Sequence, residues 1–203
     1  MPRRRAALVA LLVAMTACTA TPPPASSSAA RIATLAQQSM YHDGDLVFRR
    51  GRDVMSGLVL GRSADSRFSH VGMVVVDADQ RWVVHAMPDE PGHPGGVRRE
   101  LLADFLAPAV ASDAAVYRLP QLHAEERKHL REYLLSQLGR PFDFAFALST
   151  PDRLYCSELV LRAVQAAGLV AAPRTVQASL VSEPLVLPDA LRELPGLMPV
   201  TGG

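Results

Sequence analysis

His70 to Val76 and Arg81 to Ala86 are β-rich runs parted only by Asp77-Ala78-Asp79-Gln80, and this pairing constrains the chain more than any other stretch. Two such runs around a short polar insert form a hairpin. With the loop at residues 77–80, Val76 faces Arg81, and counting back along both strands sets His85 opposite Gly72. His70 is two residues from Gly72. Both imidazoles therefore leave the same face as diagonal neighbours, about 7–8 Å apart at the backbone. Gly72 puts no side chain between them. One imidazole can then orient the other, whereas a slip of one residue would send them to opposite faces.

The 203 residues contain two cysteines, Cys18 and Cys156. Cys18 follows Arg3-Arg4-Arg5 and an apolar run of 12 residues from Ala6 to Ala17. That length suits a secretory signal, since a helical membrane span needs about 20 residues. Thr16 and Ala17 before Cys18 resemble a bacterial lipobox, with Met15 where Leu is usual. Residues 1–17 are thus expected to be a signal peptide and Cys18 the lipidated N-terminus of an exported, membrane-anchored envelope protein. An ordinary cleavage site, with Cys18 free or paired to Cys156, is the alternative. Residues 18–30, rich in Thr, Pro, Ser and Ala and free of charge, read as a flexible tether.

Loss of residues 1–17 removes three arginines and no acids, taking the net charge from +1 to −2. Such a balance gives no electrostatic basis for binding nucleic acid. Residues 31–203 match one domain with one core. Helices are expected at residues 31–40, 123–138 and 155–167, with a weaker helical pattern at 51–60 and a helical turn at 101–106. Strands are expected at 45–49, 96–99 and 114–119 beside the hairpin. Leu130, Leu134, Leu135 and Leu138 share one face of the 123–138 helix. Pro88 to Gly96 is a loop, and the Pro-rich tail 171–203 shows no regular pattern. Strands early and helices mainly late imply an α+β fold with an antiparallel sheet packed against helices.

If Cys18 is consumed by processing, Cys156 is a lone thiol in an oxidising compartment, where it serves as a nucleophile or lies inert in a core. Its place at the start of the 155–167 helix offers a positive dipole end and free N–H groups to a thiolate or an oxyanion. A histidine beside it would complete a thiolate–imidazolium pair. His70, His85 and Cys156 are also the donor types of a zinc site. Asp45 and Asp143 read as turn-holding carboxylates and Glu158 as a first-turn helix acid. Arg98 and Arg99 read as a solvated strand end, with recognition of an anionic substrate group as the alternative.

Four segments together resemble the permuted papain-like cysteine hydrolases, and within them the YaeF/YiiX-type branch of the NlpC superfamily. They are Asp43-Gly44-Asp45-Leu46-Val47-Phe48, Phe68-Ser69-His70-Val71-Gly72-Met73-Val74, Gly139-Arg140-Pro141-Phe142-Asp143-Phe144 and Tyr155-Cys156-Ser157-Glu158-Leu159. The resemblance implies a circularly permuted papain-like fold in which Cys156 is the nucleophile, His70 the general base and His85 its orienter. His85 stands where this branch often has glutamate, and a neutral imidazole stabilises an imidazolium less well than a carboxylate. Tyr155 is a candidate for positioning the site or the oxyanion. The implied activity is cleavage of amide or related acyl bonds in peptide, acyl-amide or lipid substrates, cell-wall peptides among them, with no cofactor. A non-catalytic envelope binding module of the same fold and a lipid-directed hydrolase or acyltransferase are the competing functions.

Overall fold

The computed structural model describes residues 27–200 except 38, 39, 91, 93, 179 and 180. Cys18, the leader and most of the tether tract lie outside the described residues. The elements in chain order are α1 (Ser27–Ala36), β1 (Leu46–Gly51), α2 (Val54–Leu60), β2 (His70–Asp77), β3 (Gln80–Met87), β4 (Gly96–Leu101) and α3 (Leu102–Phe105). There follow β5 (Ala111–Arg118), α4 (Ala124–Ser136), α5 (Cys156–Ala166), β6 (Thr175–Val176), β7 (Leu185–Val186), α6 (Pro188–Leu191) and β8 (Met198–Pro199). Six strands form one antiparallel sheet in the order β4-β3-β2-β1-β5-β8. The α+β expectation therefore holds.

Strand alternation divides the core between the two faces of this sheet. Val71, Met73, Val75, Val84 and Ala86 point to one face, where they pack with Leu130 and Leu134 of α4 and Leu159, Val160 and Ala163 of α5. Val47, Val74, Val83, Ala114 and Val116 point to the other, against Ile32 and Leu35 of α1 and Leu102 and Phe105 of α3. The 123–138 face is narrower than expected, because Leu138 lies past the end of α4 and is exposed. The first helix starts at Ser27 instead of residue 31, inside the stretch read as tether, and Ser28 Oγ donates to the Ser112 carbonyl at 2.7 Å.

The hairpin forms in the expected register, with Val76 opposite Arg81 and Met73 opposite Val84. Gly72 is required for it. A Cβ there would come within 2.9 Å of His85 Cβ and 3.0 Å of the Val84 carbonyl oxygen. The tail is the main departure. Residues 175–176 pair with 185–186, β8 adds to β5, and Leu185, Val186, Leu187 and Leu191 are buried. Asp189 accepts from the Arg67 and Phe68 N–H groups, both at 2.8 Å, and ties the tail to the approach to β2. Its short apolar pieces carry no periodicity because each is only two to four residues long, and they become ordered by filling gaps left by the larger elements.

Candidate active site

The histidine side of the site is built from strand register. His70 opens β2 and His85 lies near the end of β3; their rings meet edge to face, with Nε2 of His70 2.9 Å from Nδ1 of His85. Both are buried, and Phe105 of α3 packs against both rings, with centroids 5.5 and 5.0 Å away. Behind His85 the next strand supplies a carboxylate. His85 faces Arg98 in the β3–β4 ladder, so Glu100 is its diagonal neighbour, and Glu100 Oε2 lies 3.1 Å from His85 Nε2. The approach is oblique to the ring N–H, but among the described residues no other acceptor reaches that nitrogen. Glu100 is absent from the residues expected to form the site. Extending the hairpin count by one strand would have found it.

The thiol side is built from the helix tip. Cys156 is the first residue of α5, with Tyr155 at its N-cap in extended backbone. The ladder between β2 and β3 runs from Met73 to Asp77, so the first residues of β2 lie beyond it. There the Val71 and Ser157 N–H groups lie where they favour the Cys156 anion. The tail then holds the tip from both sides: Ser157 Oγ donates to the Val186 carbonyl at 2.6 Å, and the Val186 N–H donates to Tyr155 Oη at 3.2 Å. Tyr155 is buried, and its hydroxyl oxygen accepts the Val186 N–H, a contact that helps to place the helix.

His70 and Cys156 line one narrow cleft. Its walls include Met55, Val59, Phe142 and Phe146, and Arg49 reaches it from β1. Asp143 shapes the wall by accepting the N–H groups of Ala145 and Ala147, each at 2.9 Å, which folds the Phe-rich segment back on itself. Asp45 is buried under Arg118, whose guanidinium donates to both its oxygens, and also accepts the His42 N–H at 2.9 Å. Both carboxylates hold turns, as their sequence context indicates. Glu158 is fully buried and paired with Arg162, which also caps the Leu148 carbonyl. Arg98 pairs with Glu90, and Arg99 lies over the Trp82 ring.

Electrostatics set the resting protonation. Burial pushes the Cys156 thiol up, and the surrounding N–H groups only partly oppose it. Burial, Arg49, His85 and Arg98 hold His70 well below the usual imidazole range. His85 is lowered to about 4, chiefly by burial and against the pull of Glu100. Glu100 itself is lowered, first by its bond to His85. Burial thus favours a resting thiol and neutral imidazoles over the thiolate–imidazolium pair expected from the helix dipole. Desolvation of a buried charge outweighs half a dipole charge.

The bonding network assigns the tautomers. An ionised Glu100 beside His85 Nε2 favours the proton on that nitrogen, which leaves Nδ1 as an acceptor. His70 Nε2–H then donates to it, and the lone pair of His70 sits on Nδ1, the nitrogen free to take a proton from the cleft.

Residues 40–198 match the model of the permuted papain-like amidase enzymes, YaeF/YiiX, C92 family. The chain belongs to that family. Its amidase character makes hydrolysis of amide bonds the family activity, and the family's permuted papain-like architecture agrees with the sheet and helices above. The uncharacterised protein YiiX of Escherichia coli K12 is 31% identical over 124 residues, covering 60% of this chain and 56% of that protein's length. The chain thus spans little more than half of that relative. A crystal structure of the metalloprotein YiiX from Escherichia coli O157:H7 superposes with a TM-score of 0.64 at 26% identity, over 80% of this chain and 97% of the other.

The residues of this chain do not fit a metal at the histidine pair. His70 Nε2 and His85 Nδ1 face each other across one hydrogen bond instead of converging on a point. Among the described residues no three His, Cys, Asp or Glu side chains are grouped to hold an ion.

Proposed function

We propose that the protein is a cysteine amidase in which Cys156 is the nucleophile, His70 the general base and acid, and His85 its orienter, with Glu100 fixing both rings. The observation that carries this is the His70–His85 hydrogen bond at the edge of the cleft that Cys156 also lines. His70 Nδ1 takes the thiol proton as the sulfur attacks the carbonyl carbon, so charge develops only when substrate is present. The Cys156 N–H, which has no intrahelical acceptor at the first position of α5, faces the developing oxyanion. The C–N bond breaks as His70 returns the proton to the leaving amine, and a thioester remains. Water then attacks with His70 as base, the C–S bond breaks, and the thiol regains its proton.

The apolar walls suit a peptide or acyl group with a non-polar body, and envelope peptides are the natural substrates for an exported amidase. Export and lipidation at Cys18 belong to the same proposal, supported by the leader and the residues before Cys18. The test is incubation of the protein lacking residues 1–26, which keeps α1 whole, with muropeptides, acyl-amides and lipids, with products resolved by mass. Cleavage should vanish in Cys156→Ala, and cleavage that persists would place the chemistry elsewhere. Incorporation of labelled fatty acid that is lost in Cys18→Ala would support the anchor.

A further inference from the structure

Arg49 stands directly opposite His70 in the β1–β2 ladder and is 4% exposed, yet it lines the cleft beside His70 and Cys156. Its guanidinium stacks 4.4 Å from the centre of the Phe105 ring. Nη1 donates to the Phe105 carbonyl at 2.9 Å, Nη2 reaches only the Met87 sulfur at 3.7 Å, and Nε has no partner. Among the described residues no carboxylate lies within ion-pair distance of it, whereas Arg67, Arg118, Arg162 and Arg192 each have one. A buried guanidinium without a counter-ion is costly, and arginine stays charged even where burial lowers its pKa. The nearby carboxylates are engaged elsewhere. Asp53 spends its oxygens on the N–H and hydroxyl of Ser56, at 2.8 and 2.7 Å, and Glu100 holds His85.

We propose that Arg49 is the anion-binding residue of this cleft and that it holds a carboxylate of the substrate, carried close to the amide that Cys156 attacks. The inference rests on the amidase reading above and narrows its substrate class to amides and peptides with an apolar body and a free carboxylate beside the scissile bond. A planar carboxylate matches the guanidinium fork. A monoanion is favoured over a phosphate dianion because Asp53, Glu90 and Glu100 already place three negative groups around the site. Docking has a second consequence. Arg49 is among the charges that depress the basicity of His70, so a carboxylate that neutralises Arg49 makes His70 a better base when the cleft is filled.

Binding tests this without relying on turnover. Thermal unfolding of the full chain is followed against sodium benzoate, benzamide and inorganic phosphate. Benzoate should raise Tm with dose, and benzamide and phosphate should do so far less. The benzoate shift should be lost in Arg49→Gln and reduced in Arg49→Lys, which keeps the charge without the fork and serves if Arg49→Gln does not fold. Equal shifts from benzoate and benzamide, or a benzoate shift unchanged in Arg49→Lys, would overturn the proposal. A phosphate shift larger than that of benzoate would overturn the choice of carboxylate. For cleavage, N-acyl dipeptides with a free C-terminal carboxylate should exceed their carboxamides in kcat/KM by about 30-fold or more, the scale of a lost charged hydrogen bond. Equal cleavage of both that still requires Cys156 would sink the Arg49 assignment and leave the amidase reading intact.

Discussion

The two halves of the site are assembled by opposite means. The histidine half comes from one hairpin, whose partners are 15 residues apart and whose geometry follows from strand alternation. The thiol half is placed by contacts from far along the chain, with Val186 gripping Ser157 and Tyr155 across 29 and 31 residues. A local ribbon can form its pair wherever the ladder forms. A helix tip has no such internal reference and needs the tail to fix it. The base and its orientation should therefore tolerate damage to the tail, while the nucleophile should not.

The largest expected effect lies in the ribbon. His70→Gln removes the proton carrier and should lower kcat/KM by about 10²–10⁴-fold in an amide-cleavage assay while leaving Cys156 in place. Gly72→Ala attacks the same half sterically. Its Cβ collides with His85 and the β3 backbone, so denaturant unfolding should show about 1–3 kcal/mol of destabilisation together with loss of activity. On the thiol side, Ser157→Ala strands the buried Val186 carbonyl. It should cost about 1–2 kcal/mol in the same assay and lower activity, with the histidine pair unchanged by imidazole NMR.

Smaller effects come from charge. Glu100→Gln keeps an acceptor but loses the anion, and about a tenfold fall in kcat is expected, with the proton resonances of both imidazoles shifted. The pH dependence of stability completes the comparison. His85 is near 4 when folded and about 6.5 when unfolded, so the unfolded chain binds more protons between those values. Stability should be full above about pH 6.5 and fall on acidification toward pH 4, less steeply in His85→Gln. The raised Cys156 pKa has the opposite sign. Stability is lost as pH rises past the unfolded thiol value of about 8.5, and alkylation of Cys156 should accelerate at still higher pH.

The hairpin was legible because a β-strand repeats every two residues: Val76 opposite Arg81 follows from the turn, and the shared face of His70 and His85 follows from counting. Asp45 and Asp143 were legible as turn carboxylates because their partners are close in sequence or loop-local. The start of α5 at Cys156 was legible from its apolar periodicity. Glu100 was missed because the strand expected at 96–99 stopped one residue short of it, and Arg49 because the pairing of β1 with β2, across α2, is decided by the sheet order. The tail's role was hidden for a related reason, since two-residue strands carry no pattern.

The sequence alone determined the hairpin register, the shared face of His70 and His85 and the helix that begins beside the thiol, because these depend on periodicities and turns written into neighbouring residues. Only the tertiary structure decided that burial opposes charge on the thiol and the imidazoles, that Glu100 stands behind His85, and that Arg49 enters the cleft without a counter-ion. Those properties depend on burial and on distances between charges, and both exist only once the β4–β3–β2–β1 row and the tail have closed around the site.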